Sequence, residues 1–410
     1  MRILVAAFAC EPDKGSEPAV GWGWVTALAE AGHDVVAITR ANNRPLIEAE
    51  LAERPRAHLT FVYHDLADWM LRLKNATGGL GLRAYYLMWC GSVRAVARRI
   101  VAEGGIDLCH HVTFAHCWTP SPLAAVGAPL LWGPVGGAEP CPPAFWPGLG
   151  WQGALYEATR AALRGLAAFN PALRRSARTV QMAVAATPET ASWLTGIGCR
   201  RVIVASQVGL DATLVGRLAT FSRAAPDART AWRFLILGDL LPHKGVHLIL
   251  AALRDLPGRW SLDIVGDGPE RGRLERLAQT GALHGRVRFH GHLPRMLALD
   301  RMRPAHLLLV SALHDSGGFA IAEALAAGVP VLSLNRGGPP LLAGDAGIAV
   351  PAPDPHAAIE GSRTALARLL ADPAAWPALS VAARRRAATL HWSEALRRVY
   401  EPLAAAEDAP

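Results

Sequence analysis

Apolar residues in this 410-residue chain fall into short continuous runs separated by amphipathic stretches. The chain opens with the run RILVAAFA, the loop CEPDKGSEPAVG, the amphipathic stretch WGWVTALAEAG ending at Gly32, and a second apolar run HDVVAITR. Short runs rich in Val, Ile and Leu read as strands buried on both faces, and apolar residues three and four apart read as a helix, so the opening is a βαβ unit. Further strands are predicted at LTFVYH, DLCHHVTF, PLLWGP and MAVAAT. From about Val208 the pattern restarts: strand RFLILGD, helix GVHLILAALRDL, strand SLDIVGDG, helix PERGRLERLAQT, strands VRFHG and HLLLVSA, helix FAIAEALAAG, strand PVLSLN. The alternation predicts an α/β protein of two domains with mostly parallel sheets, residues 1–207 and 208–385. A last helix, HWSEALRRVYEPLAAA within 386–410, can pack on either half.

Hydrophobic residues make up 51% of the chain and charged residues 19%, with Gly and Pro dispersed, which excludes a disordered or fibrous protein. No run of about 18 apolar residues occurs, so no membrane-spanning helix is expected. The start MRILVAAFACEPDKGSE reaches charged residues too soon for a signal peptide and reads as the first strand. Six cysteines (10, 90, 109, 117, 141 and 199) form no C-x-x-C, which suits a reducing compartment, and a cytoplasmic location is expected.

The net charge of +8 does not by itself point to nucleic acid, because only three of the 42 basic residues are Lys (14, 74 and 244) and an excess of Arg, Ala, Gly and Pro is what a GC-rich genome produces, so the distribution of charge is more informative than its total. One stretch stands apart. Residues 69–102 carry Arg72, Lys74, Arg83, Arg94, Arg98 and Arg99 with no acid, interleaved with Trp69, Tyr85, Tyr86 and Trp89. That pattern is a candidate contact for an anionic membrane surface, which would put the protein at the inner face of a membrane; the alternative is a solvated helix face beside core aromatics.

Parallel sheets bind ligands beyond the carboxyl ends of their strands. In the second half those ends carry GDLLPHKG, GDGPE, SALHDSGG and NRGGPP, and in the first half CEPDKGSE, HHVTFAHCWTP and GPVGGAEP, so an interdomain cleft is expected where two such edges face each other. In HDSGGFAIAEALAAG a helix starting near Gly317 or Gly318, with Ser316 as cap, presents the backbone N–H groups of Gly318, Phe319 and Ala320 to an anion. Asp315 and Glu323 then flank a bound diphosphate, roughly 10 Å apart, where carboxylates accept hydrogen bonds from sugar hydroxyls. The blander reading makes Asp315 a turn residue and Glu323 a local cap. Lys244 in a strand-to-helix loop, and the glycine turns at Gly238 and Gly266, belong to the same edge and do not form a Walker motif.

Together these stretches resemble the retaining glycosyltransferases of family four, which have the GT-B fold of two facing Rossmann-like domains. The resemblance covers nearly the whole chain, through GSEPAVGWGWVTALAEAGHDV, GDLLPHKG, IVGDGPERGRLERLA, VRFHGHLP and HDSGGFAIAEALAAGVPVLSLNRGGP, with the family's E-x7-E written here as Asp315-x7-Glu323. It implies a nucleoside-diphosphate sugar as donor and a glycan, lipid-linked or small-molecule hydroxyl as acceptor. Glu323 is then expected on the ribose, Asp315 on the donor sugar, and Lys244 on the diphosphate, with no metal or other cofactor. A histidine of the first domain commonly approaches the donor sugar in this family, here His110 or His111; on a strand they face opposite ways, and the spacing from Asp107 favours His110. Gly15, Ser16 and Glu17 resemble the loop beside acceptor and diphosphate, and Glu139 is a further acceptor candidate. A metal site from Cys109, His110, His111, His116 and Cys117 is not expected, since adjacent strand residues diverge.

Two positions depart from the family pattern. Asp239 stands where an Arg is usual, leaving Arg336 or His243 to supply the missing cation, and Leu341 follows GGPP where a Glu is frequent. Two other functions stay open: a nucleotide-sugar epimerase or phosphorylase-like enzyme on the same fold, and a non-catalytic protein that has lost tight donor binding. A nicotinamide oxidoreductase is not expected, because no G-x-G-x-x-G follows the first strand.

Overall fold

The computed structural model describes residues 1–227 and 231–407, which form two compact units. The first comprises Met1–Ala138, Leu163–Gln207 and Trp392–Pro410, and the second Glu139–Ala162 and Val208–His391. Each is built on a parallel sheet covered by helices.

In the first unit the strands are β1 (Arg2–Ala6), β2 (Asp34–Thr39), β3 (Leu59–Tyr63), β4 (Leu108–His111), β5 (Leu130–Val135), β6 (Met182–Ala185) and β7 (Val202–Val204), in the order β3-β2-β1-β4-β5-β6-β7. The second unit has β8 (Trp232–Leu237), β9 (Trp260–Val265), β10 (Val287–Gly291), β11 (Leu307–Val310), β12 (Val331–Leu334) and β13 (Gly347–Val350), in the order β10-β9-β8-β11-β12-β13. In both sheets the strand order reverses between the first strand and the one that joins its other side, β1 with β4 and β8 with β11. Loops leaving that switch point part to opposite faces of the sheet, which opens a crevice at its carboxyl edge.

Strands β7 and β13, not predicted from sequence, are short apolar runs of three and four residues at sheet edges, too brief to stand out from the loops around them. The first helix, Ser16–Glu30, starts six residues before the predicted Trp22. Its early glycines look like loop residues but serve close packing. A side chain at Gly21 would lie 2.0 Å from the Ala9 carbonyl oxygen, and one at Gly23 would lie 1.9 Å from the Trp392 ring.

Two segments sit in a different unit from the one expected. Residues 139–162 join the second unit because Cys141, Phe145 and Leu149 bury into the core formed with Trp232, Phe234 and Leu248. Residues 386–391 also stay with the second unit, where His391 bridges Leu210, whereas the Trp392–Glu407 helix packs within the first. There Trp392 stacks edge-on against Trp24, and the Tyr400 hydroxyl lies 2.9 Å from His110 Nδ1.

The basic stretch forms the long helix Asp68–Ala102. Trp69 is exposed together with Arg72, Arg83 and Arg98, but Tyr85, Tyr86 and Trp89 are core residues that pack around Phe8, so the expected interleaving of surface aromatics and arginines reduces to Trp69. The side chain of Lys74 lies outside the described residues. No helix among the described residues is long and apolar enough to cross a membrane.

Because the obstacle at Gly21 is a backbone carbonyl, Gly21→Ala is expected to destabilise the protein by about 1–3 kcal/mol. Gly91→Ala, within the Asp68–Ala102 helix and facing open space, should be neutral or stabilising by up to about 1 kcal/mol. Urea unfolding of the two variants beside the parent checks both.

Candidate active site

At the switch point of the second sheet, the loops after β8 and β11 meet backbone to backbone. Leu313 N donates to the His243 carbonyl at 2.8 Å and the Ser311 hydroxyl to the Lys244 carbonyl at 2.8 Å. Gly245, at φ 64°, has no room for a side chain, since a Cβ there would lie 2.3 Å from the Ser311 oxygen. This seam brings the Lys244 ammonium to 2.5 Å from Asp315 Oδ2, with both side chains partly open to solvent. The cation and the carboxylate expected on diphosphate and sugar are thus each other's partner.

The neighbouring glycines have distinct causes. A Cβ at Gly266 would lie 2.0 Å from the Gly238 oxygen, so Gly266 allows the turns after β8 and β9 to touch, while a Cβ at Gly238 would meet nothing within 4 Å. Gly337 and Gly338 press on the Asp315 loop in the same way: Gly338 N donates to the Asp315 carbonyl at 2.8 Å, and a Cβ at Gly337 would lie 2.4 Å from that oxygen.

The helix Phe319–Ala326 starts after Gly318, whose φ of 154° is open only to glycine. Ser316, expected as its cap, instead donates to Glu139 Oε1 at 3.1 Å. Gly317 N reaches Asp315 Oδ1 at 3.2 Å, and the Gly318 carbonyl accepts from Ile321 N at 3.0 Å. The amides of Phe319 and Ala320 lie in the first turn, ahead of any intrahelical acceptor. Glu323 is buried one turn further and meets Arg295 Nη2 at 2.6 Å. Burial pushes its carboxyl pKa up, and Arg295 pulls it back down. Sequence reasoning missed Arg295, whose only signal is its place at the start of the short helix after the HGHLP stretch.

Neither substitute for the missing arginine carries a free charge. The Arg336 guanidinium donates to the carbonyls of Leu313, Ala352 and Pro140 at 3.0, 3.3 and 3.0 Å, so it fastens loops together rather than standing as an open cation. His243 is held neutral, its pKa pushed down to about 2 by burial and then by His314, Lys244 and Arg160. Asp239 itself is exposed.

In the first unit, the loops after β1 and β4 are joined where Glu17 Oε2 accepts from Phe114 N at 3.0 Å. Burial raises the Glu17 pKa, with the Phe114 amide opposing. Gly15 is the extended cap of the first helix, and Asp13, Ser16 and Phe114 adopt φ of 55°, 58° and 54° in these two loops. Strain of about 1–3 kcal/mol at each such residue, gathered at a switch point, is typical of a functional site. His110 and His111 do point to opposite faces, but neither reaches a surface, because β4 is a central strand covered on both sides. His110 lies between the Gly133 carbonyl (2.8 Å) and the Tyr400 hydroxyl (2.9 Å), and His111 Nε2 faces the Tyr86 hydroxyl at 3.2 Å. Both expected sugar contacts are core residues here.

Glu139, the acceptor candidate, is likewise buried, with Arg160 at 3.9 Å in addition to Ser316. Among the described residues, the one grouping whose ligand atoms are close enough for a metal ion is Glu157, His243 and His314, all within 4.8 Å; the cysteines and histidines of 109–117 form none. Arg160 stands 3.8 Å from Glu157 and already provides a positive charge there, which disfavours a cation.

Residues 220–376 match the family model for glycosyl transferases group 1. Anabaena Alr3699/HepE in complex with UDP superposes with a TM-score of 0.63 at 15% identity, covering 99% of this chain and 100% of that one. The fold is GT-B. Among curated proteins, this GT-B chain is 31% identical over 202 residues to the lipopolysaccharide core biosynthesis glycosyltransferase LpsE of Rhizobium meliloti (strain 1021), covering 48% of this chain and 55% of LpsE. It is 27% identical over 384 residues to glycogen synthase of Mycobacterium tuberculosis, covering 88% of this chain and 84% of the synthase. The alignment with LpsE thus spans little over half of that relative's length.

Burial pushes the histidine pKa values down from the ordinary 6.5, to about 4 for His110, His247 and His306, about 3 for His111 and about 2 for His243. Below 6.5 the unfolded chain binds protons that the folded chain refuses, so stability is fully present above that pH. It falls as the pH drops from 6.5 through the folded values, by up to about 1.4 kcal/mol per pH unit for each histidine. Urea midpoints measured near pH 7.5, about 6 and about 5 should decrease in that order.

Proposed function

We propose that the protein is a retaining glycosyltransferase that moves a sugar from a nucleoside-diphosphate sugar to a hydroxyl acceptor. The observation that carries this reading is the Lys244–Asp315 pair across the β8/β11 switch point, beside the open first turn of a helix that holds Glu323, all inside the stretch matched to group 1 glycosyl transferases. In this reading the diphosphate takes Lys244 from Asp315 and docks on the amides of Phe319 and Ala320. Asp315 is thereby freed to accept a hydrogen bond from a donor-sugar hydroxyl, and Glu323 accepts from the ribose.

The bond from the anomeric carbon to the diphosphate oxygen breaks as the acceptor oxygen bonds to the same face. The acceptor proton passes to the departing phosphate oxygen. Lys244 and the helix amides stabilise the negative charge that develops there, the role a metal plays in other transferases, so activity is proposed to be metal-independent. Alr3699/HepE is solved in complex with UDP, and LpsE is a lipopolysaccharide core biosynthesis glycosyltransferase. A uridine diphosphate sugar and a glycan or lipid-linked acceptor on the cytoplasmic side are therefore the first substrates to try.

A non-catalytic GT-B protein is the second reading, favoured by exposed Asp239 and by the engagement of Arg336 and His243 elsewhere.

Transfer from UDP-, GDP-, ADP- and dTDP-sugars, with and without chelator, tests the main reading; at least one donor should be consumed, at a rate that chelator leaves unchanged. Glu323→Ala should weaken nucleoside-diphosphate binding by roughly 1.5–3 kcal/mol, seen by calorimetry as about a 10- to 150-fold rise in Kd. Unchanged affinity in a folded variant would remove the ribose role. Because neither Arg336 nor His243 offers an open cation, Asp239→Arg should tighten the same binding by about 1–3 kcal/mol. No gain there would show that another group already serves the phosphate.

A further inference from the structure

We infer that residues 139–160 act as a clamp that sets the orientation of Asp315, making Glu139, Glu157 and Arg160 positioning residues for the donor sugar; the inference rests on the function proposed above. Both chain neighbours of Asp315 are held by side chains from this one segment. On one side His314 Nε2 meets Glu157 Oε1 at 2.8 Å, and on the other the Ser316 hydroxyl donates to Glu139 Oε1 at 3.1 Å. Arg160 ties the two glutamates together, 3.8 Å from Glu157 and 3.9 Å from Glu139, and also donates to the Glu139 carbonyl at 2.6 Å. A further tie is Arg336, which joins the Pro140 and Leu313 carbonyls.

Glu139, Glu157, Arg160 and His314 are all buried. Removing two carboxylates and a guanidinium from water is costly even when they are paired, and apolar residues of similar volume would hold a core at least as well. Apolar anchoring is already present in this segment, through Cys141, Phe145 and Leu149. The charged cluster adds direction, because hydrogen bonds fix geometry where apolar contacts do not. Its grip extends to the other member of the ion pair: the His243 ring, next to Lys244, stacks on His314 at 4.4 Å and 15°. The main chain of Asp315 is held separately, by Gly338 N. Side-chain clamping of residues 314 and 316 therefore fixes the main chain from which the Asp315 carboxylate reaches Lys244 Nζ and Gly317 N, and from which it would reach the donor sugar.

The test compares Glu157→Gln, Ser316→Ala and Ser316→Thr with the parent, using sugar transfer, calorimetry with the nucleoside diphosphate, and amide hydrogen exchange. Glu157→Gln and Ser316→Ala should each lower kcat by about 10-fold or more, with nucleoside-diphosphate Kd within about 2-fold of the parent, since Glu323 and the helix amides are untouched. Ser316→Thr, which keeps the hydroxyl, should restore most of the rate. In both impaired variants exchange should quicken over residues 311–317, before the helix, while the rest of the second unit stays as in the parent. Unchanged exchange over 311–317 in Ser316→Ala, or a fall in kcat matched by an equal loss of nucleotide affinity and of global protection, overturns the clamp. If the parent neither transfers sugar nor binds any nucleoside diphosphate, the proposed function fails, and hydrogen exchange alone still decides whether the clamp exists.

Discussion

The candidate chemistry depends on the backbone seam between the loops after β8 and β11. Two loops that leave neighbouring strands toward opposite faces would ordinarily diverge. Here Leu313 N on the His243 carbonyl and the Ser311 hydroxyl on the Lys244 carbonyl hold them together. Gly245 makes the contact possible by having no side chain to push against the Ser311 oxygen. The Lys244–Asp315 ion pair follows from this approach, since the two residues lie 71 positions apart in sequence and meet only because their loops are joined.

Around the seam, glycine and buried charge divide the labour. Glycines at 266, 337 and 338 let main chains pack at distances that no Cβ would tolerate, and this fixes where the loops run. Directional side-chain bonds then set how the loops are oriented. Arg336, read from sequence as a ligand cation, is spent on three carbonyls, and Glu139, read as an acceptor contact, is bonded to Ser316 and Arg160. A polar residue near a site is as readily a fastener as a contact, because a loop edge rich in unpaired carbonyls needs donors as much as a ligand does.

The first unit shows the same contrast. Its β1 and β4 loops are tied by Glu17 and Phe114, and three non-glycine residues there adopt left-handed backbone conformations. The histidine pair beneath them belongs to the packing of β4, where Tyr400 of the terminal helix and Tyr86 of the Asp68–Ala102 helix close over the two faces. A central strand covered by helices on both sides leaves no exposed face on which a histidine could meet a substrate.

What the sequence determined by itself is what short-range periodicity encodes. Central strands buried on both faces appear as apolar runs, and glycine-bearing turns follow them. Lys244, Asp315 and Glu323 could be placed on one sheet edge because strand-end loops of a parallel sheet share an edge by construction. Edge strands β7 and β13 carry apolar runs of only three and four residues, too short to stand out, and the start of the first helix hid behind Gly21 and Gly23, whose cause lies in Ala9 and Trp392. Tertiary structure alone decided which polar residues face outward: the burial of His110 and His111, the pairing of Glu323 with Arg295, the transfer of residues 139–162 to the second unit, and the linking of Glu157 to His314 across 157 positions. The physical reason is that periodicity records which face of an element is apolar, whereas a hydrogen-bond partner is chosen by proximity in space, which no local pattern contains.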